Sequence, residues 1–348
     1  MSRRLLRMVL SAVVAGVGIV FVLPRVTGAP WRDISAAWGL LTWWNLALLA
    51  LLWSAGLLAH STVLMGAMPG LNRRRALTLN LTGSAVSNVL PLGGGVGIGV
   101  NYVMVRRWGF SPGEFSMYTV LSNVWTVLAK AVLPCLALTL LIVRDVSIDQ
   151  RILVGAVVGS ALLVTVTVVA LAIAASDRGA RFAGRMARLI PLRGSGHHRG
   201  ARVEERLVAL RRDGAEIVRA NWRRMTLGMI TYYALGALLM WASLHVVGST
   251  LGPVAVLALF ACERALTALP ITPGGSGVAE VGTTALAIAL SGPQDAAVVA
   301  AGILLYRAFT FGLEIPVGGM WLFGWLFLQR SGRKTERPLT PVALGEAA

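Results

Sequence analysis

Pro270 to Glu280 reads PITPGGSGVAE, and 180 residues earlier Leu90 to Val100 reads LPLGGGVGIGV, so that Gly94, Gly95 and Gly97 fall on Gly274, Gly275 and Gly277. Both stretches lie inside long apolar runs. Proline lacks the N–H a helix needs and glycine pays the largest backbone entropy, so each run is expected to split into two half-helices. Unwound backbone at membrane depth survives only where protein or a wet cavity covers it. A matched pair of breaks therefore points to a binding site between two repeats.

The rest of the chain fits a membrane setting. Of its 348 residues 56% are hydrophobic and 14% charged, with a mean hydropathy of +0.72, and apolar runs of about twenty residues recur. The formal charge of +17 would suggest nucleic acid in a soluble protein, but here the arginines cluster between apolar runs, as they do in cytoplasmic loops. No nucleic-acid partner is expected. The two cysteines, Cys135 and Cys262, each sit in an apolar run, and the histidines His60, His197, His198 and His245 show no metal-ligand spacing. Neither a disulfide framework nor a metal site is indicated.

Six spans are expected, over Met8–Leu23, Leu40–Leu64, Ser116–Val143, Ile152–Ala175, Met225–Val247 and Ala296–Leu328. The opening Ser-Arg-Arg and Thr27-Gly28-Ala29 faintly resemble an export signal and its cleavage site, but a first span with its N-terminus inside is the simpler reading. Arg73 to Arg75 precede the apolar segment from Ala76 to Met104, and Arg106 and Arg107 follow it. If that segment crossed the bilayer, the arginines would lie on opposite sides, so charge favours a re-entrant hairpin entered from the cytoplasm. Val254 to Leu290 is the second interrupted segment and is entered from outside by the same parity. The fold expected is thus an all-α polytopic membrane protein with about six spanning helices and two re-entrant broken hairpins in an inverted repeat. Repeat 1 covers about residues 40–175 and repeat 2 about 225–328, joined by an arginine-rich cytoplasmic loop at 176–224 and followed by a disordered cytoplasmic tail at 329–348. In that loop thirteen arginines face five acids, and Arg178, Arg181, Arg185 and Arg188 recur at helical spacing opposite Phe182, Met186, Leu189 and Ile190, as on an interfacial helix. Localisation in the plasma (inner) membrane is expected, with both termini cytoplasmic as the charge pattern indicates.

Half-helices that restart at depth, near Gly97 to Asn101 and near Gly277, would turn the positive ends of two helix dipoles toward one another, a setting for an anion. Lys130, Glu263, Arg264, Glu280, Arg307 and Glu314 also fall within apolar runs, each at a cost of about 2.5–3.5 kcal/mol on insertion scales, so each should face a cavity or a partner. Lys130, Arg264 and Arg307 are the expected contacts for an anionic headgroup, with Asn88 and the six glycines beside them. Glu263, Glu280 and Glu314 balance these charges or carry protons. The competing reading is that these residues form structural ion pairs between the repeats. No nucleotide-binding or nucleophile-elbow motif occurs, so neither catalysis nor a cofactor is expected.

At these residues a family becomes recognisable. ERALTALPITPGGSGVAE at 263–280, SNVLPLGGGVGIGVNYVMVRRWG at 87–109, Lys130 in its span and LLYRAF around Arg307 resemble the flippase-like transmembrane domain of lysylphosphatidylglycerol synthases and its stand-alone relatives, over about residues 5–328. The resemblance implies movement of a charged lipid headgroup between leaflets. No counterpart of the soluble synthase domain is expected here, so lipid synthesis is not expected to carry over, and aminoacylated phospholipids, glycolipids and polyprenyl-phosphate carriers are all candidate substrates. The rival expectation is a non-transporting membrane subunit that anchors a lipid-modifying enzyme or glycosyltransferase through the arginine-rich loop.

Overall fold

A computed structural model of the chain describes residues 16, 18–90, 93–144, 149–175, 196–268 and 272–333. Most of the expected first span, Pro91, Pro270, the four regularly spaced arginines from Arg178 to Arg188 and the tail beyond 333 lie outside these residues. Among the described residues every regular element is helical. We number the α-helices from Trp31 onward: α1 (Trp31–Ala37), α2 (Trp43–Ala67), α3 (Arg73–Val89), α4 (Gly93–Arg107), α5 (Pro112–Val143), α6 (Gln150–Ala175), α7 (Gly196–His245), α8 (Pro253–Leu266), α9 (Val278–Ser291), α10 (Ala296–Arg307) and α11 (Glu314–Arg333). A π-helical turn, Ala308–Leu313, joins α10 to α11 without ending the helix.

Five stretches are long and apolar enough to cross a bilayer: Trp43–Ala67, Pro112–Val143, Gln150–Val169, Gly214–His245 and Pro293–Gln329. They match the second to sixth expected spans. The remaining paired helices, α3 with α4 and α8 with α9, form two antiparallel hairpins. In the first, Asn101 Nδ2 donates to the Leu79 carbonyl at 3.2 Å, and Ser87 Oγ donates to the Gly93 carbonyl at 3.3 Å. The mouth of this hairpin closes on one side. Arg75 lies over the Trp108 ring at 5.3 Å, and Arg106 Nη1 donates to the Phe110 carbonyl at 2.6 Å. The chain therefore leaves where it entered. At 1.5 Å per residue α3 rises about 25 Å and α8 about 21 Å, past the middle of a hydrocarbon core of about 30 Å but short of crossing it.

Charge is sorted along the bundle. The same end that holds Arg75 and Arg106 also holds Arg107, which lies over the Trp325 ring and donates to Gln329 Oε1 at 3.1 Å. Arg224 reaches Met65 at the foot of α2 there. The opposite end is closed by α1, whose Ile34 packs on Ala300 and Ala301, with Trp38 Nε1 donating to the Ala301 carbonyl.

The helix pairings repeat. α3 and α8 begin at Arg73 and Pro253, 180 residues apart. α2 and α7, which precede the hairpins, pack antiparallel on one another: a Cβ on Gly66 would strike Met225 and one on Gly228 would strike Thr62. α3 packs on α11, and its counterpart α8 packs on α5, the counterpart of α10 and α11. The same pattern of contacts thus recurs in both halves of the chain. Small residues set the approach, as they do where lipid removes the hydrophobic driving force between helices: Gly318 meets the Leu81 carbonyl, and Gly302 meets Leu244.

Two local features depart from expectation. The region 196–224 is not loop but the first part of α7, continuous with the span that follows. Its ARVEERLVALRRD at 201–213 consists of good helix formers without proline or glycine, so nothing interrupts the helix. In the first hairpin the break is also shorter than expected: α4 starts at Gly93 rather than near Gly97. Two of its glycines serve packing: a Cβ on Gly93 would strike the Ser87 carbonyl, and one on Gly97 would meet Ser87 Oγ and, at 2.7 Å, the Gly83 carbonyl.

Candidate functional site

The second break is built by glycine conformation. Gly274, Gly275 and Gly277 have φ of +58°, +70° and +83°, the left-handed region that side chains with a Cβ avoid. These residues turn the chain from α8 into α9 within the bundle and leave the Gly274 carbonyl and the Gly277 N–H without helical partners. Arg307 Nη2 donates to the Gly274 carbonyl at 2.9 Å, and Gly277 N–H donates to Glu280 Oε2 at 2.6 Å. The positive end of α9 is therefore occupied by a carboxylate of its own first turn, rather than open to a ligand.

Around this turn the charges close on themselves. Arg307 Nε donates to Glu280 Oε1 at 2.7 Å, and its Nη1 to Glu263 Oε1 at 3.1 Å. Arg264 Nε pairs with Glu263 Oε2, and Arg264 Nη2 donates to Glu263 Oε1 at 2.8 Å and to the Tyr306 hydroxyl at 3.0 Å. The side chains of Glu263, Glu280 and Arg307 are 0%, 2% and 6% exposed, whereas Arg264 keeps 17%. Two arginines and two glutamates cancel. Arg307 is thus a clamp between the last span and both limbs of the second hairpin, and Arg264 alone of the four keeps an edge toward open space.

That space is an interior cavity of about 240 Å³. Arg264, Gly274 and Arg307 line it from α8, the second break and α10, Lys130 from α5, Ser84 and Asn88 from the tip of the first hairpin, and Glu314 from the start of α11. The two breaks touch here: a Cβ on Gly274 would lie 2.8 Å from Asn88 Oδ1. Lys130 makes no ion pair among the described residues. Glu314 is likewise outside the clamp. Among the described residues the unmatched charges facing the cavity are therefore Lys130, Glu314 and the free edge of Arg264.

Of the residues singled out from sequence, Asn88, Lys130, Arg264, Gly274, Arg307 and Glu314 share this cavity. Glu263 and Glu280 stand behind it as the partners of the arginines. Gly275 packs against Thr267, with which a Cβ would collide, and Gly277 caps α9, so both shape the turn. Gly94 and Gly97 line a second cavity on the other side of Asn88, while a Cβ on Gly95 would meet no atom within 4 Å. Sequence reasoning missed Tyr306, Tyr232 and Thr310, which complete the wall. The signal for Tyr306 was its place beside Arg307. The π-helical turn that follows Arg307, a feature frequent at functional sites, was not readable.

An all-helical membrane domain, with two broken hairpins meeting at a charged interior cavity, defines a polytopic membrane protein with an internal polar site. The chain belongs to the family described as the lysylphosphatidylglycerol synthase TM region, which it matches over residues 8–318. Membership associates the domain with lipid handling. None of the curated proteins compared with the chain matches it.

Proposed function

We propose that the protein carries the anionic headgroup of a lipid between leaflets through the cavity at the meeting point of its two hairpins, while the acyl chains remain in the bilayer. The observation that carries this reading is Lys130: a cation in the middle of a span, without an ion-pair partner among the described residues, facing a polar cavity that both repeats line. Burying such a charge is costly unless a partner arrives, and a phosphate supplies one. The exposed edge of Arg264 lies on the same cavity and adds donors suited to a phosphate. The family's association with lipids and the recurrence of helix contacts in α2–α5 and α7–α11 agree with alternating exposure of a fixed central site, the inverted-repeat mode of transport. No catalytic step is part of this reading. The arginine-rich end of the bundle is the cytoplasmic one, in the plasma (inner) membrane, which puts the mouth of the first hairpin and the end of α11 inside.

Reconstitution tests it. Purified protein in vesicles containing labelled anionic phospholipid accelerates leaflet exchange, and Lys130→Met reduces the rate at least tenfold while the melting temperature in detergent stays at or above that of the parent. Equal rates for the parent and Lys130→Met remove the basis of the proposal. Absence of exchange for every anionic lipid, with an enzyme co-purifying instead, supports the subunit reading.

A further inference from the structure

The second cavity, of about 290 Å³, adjoins the first through Ser84 and Asn88, which line both. Its walls differ in kind. Among the described residues no Asp, Glu, Lys or Arg lines it; its polar groups are neutral amides and hydroxyls from α2, α3, α4 and α5, including Asn80, Ser87, Asn101, Ser122 and Asn123, together with His60. Several of these already serve the fold, as Asn101 does by donating to Leu79 and Asn123 to the Thr119 carbonyl.

Asn80 is the exception. It is 9% exposed, its Oδ1 faces His60 Nδ1 at 3.0 Å, and its Nδ2 has no partner among the described residues. Turning the amide over would only exchange the ends: whichever atom faces His60, the other is left over. A buried amide end without a hydrogen bond is destabilising, and the cavity it lines is several times larger than one water needs. His60 in turn packs on Tyr232 with ring centroids 4.8 Å apart, and Tyr232 lines the first cavity, so the two cavities share a wall.

Resting on the transport reading above, we infer that this cavity is the subsite for the remainder of the headgroup, and that it takes an uncharged polyhydroxylated group, such as a glycosyl or cyclitol ring, attached to the phosphate that Lys130 meets. Hydroxyls satisfy amides and hydroxyls in either direction, and the spare end of Asn80 finds a partner. An aminoacyl headgroup is disfavoured. Its ammonium would be desolvated among neutral groups, since none of the described residues that line this cavity is a carboxylate. The substrate class so defined differs from the aminoacylated lipid in the family's description.

The test uses the full-length protein in phosphatidylcholine vesicles with labelled phosphatidylinositol, phosphatidic acid or lysylphosphatidylglycerol, measured separately. Phosphatidylinositol exchanges about tenfold faster than either of the others, the difference one or two well-placed hydrogen bonds make. Asn80→Leu, similar in volume, lowers the ratio of phosphatidylinositol to phosphatidic acid exchange toward one, whereas a merely structural role would slow both alike. The comparison of the three lipids on the parent protein stands even if that variant fails to fold. Equal rates for phosphatidylinositol and phosphatidic acid, or fastest exchange of the aminoacylated lipid, overturn the subsite and leave lipid exchange standing. No protein-dependent exchange of any of the three overturns the transport reading and the subsite with it.

Discussion

Arg307 Nη2 lies 2.9 Å from the carbonyl oxygen of Gly274, so the last span is fastened to the apex of a hairpin 33 residues before it in the chain. Through the same guanidinium it holds Glu280 on one limb and Glu263 on the other. A planar fork of donors fits this role, and a point charge does not.

Replacing Arg307 is therefore a stability experiment. Arg307→Ala leaves Glu280 without its cation and the Gly274 carbonyl without a donor in a buried place, and breaking a buried pair from one side costs about 3–5 kcal/mol. Little folded protein is expected by size-exclusion chromatography in detergent. Arg307→Lys keeps the charge but cannot reach three acceptors, and falls between. A normal melting temperature for Arg307→Ala would show that the clamp is not what holds the hairpin.

The glycines divide into two classes by what a methyl group would meet. Gly274→Ala adds a Cβ at φ +58° and within 2.6 Å of Phe311, and Gly97→Ala drives one into the Gly83 carbonyl at 2.7 Å. Both should lower stability, the first by at least the 1–2 kcal/mol of the left-handed conformation, about a further share coming from the contact. Gly94→Ala and Gly95→Ala meet no atom within 4 Å and should be neutral or gain up to about 1 kcal/mol from helix propensity. Thermal melts of the four variants give the order, and the reverse order would refute the packing role of Gly97.

The side on which the first hairpin opens is accessible to labelling. In a background with Cys135 and Cys262 replaced by serine, cysteines at Arg74 and Gly113, both exposed and on either side of the hairpin, should react with an impermeant maleimide from the same face of oriented vesicles. A cysteine at the exposed Gln294, at the other end of the bundle, should react from the opposite face. Labelling of positions 74 and 113 from opposite faces would mean that the segment crosses.

Much of the architecture was legible because helix breaking is local: PITPGGSG and LPLGGG announce a chain reversal wherever they stand, and apolar length reports the spans. The charged cavity was legible in outline, since Lys130, Arg264, Arg307 and Glu314 each stand out in an apolar run. Their partners were not. Glu263 joins Arg264 to Arg307 across 44 residues, and no local pattern distinguishes that from three independent ligands. Neither could sequence reveal the π-helical turn after Arg307, which shifts the register of α11 against the cavity. The neutral second cavity was hidden for a different reason: asparagine and serine in an apolar helix usually bond their own backbone, as Ser122 does to the Tyr118 carbonyl, so Asn80 drew no notice until its leftover amide end could be seen.

Arg264 should behave unlike Arg307, although both pair with Glu263. When Arg264 is removed, Glu263 keeps Arg307 at 3.1 Å, and Glu280 and the Gly274 carbonyl keep all their contacts. What is lost is a partly exposed cation, its stacking on Phe260 at 5.4 Å and its bond to the Tyr306 hydroxyl. Arg264→Met should therefore cost about 1–2 kcal/mol, well below the cost at Arg307, and leave the protein monodisperse in detergent. Lipid exchange should nonetheless fall at least tenfold, because the cavity then presents Lys130 alone against Glu314 and attracts an anion far less. Tyr306→Phe separates the two effects: it removes the hydrogen bond to Arg264 while keeping the charge, so exchange should drop only a few-fold. If Arg264→Met instead exchanged lipid at the parent rate, the arginine would be a packing element of the second hairpin, and Lys130 would remain as the cation that meets the headgroup.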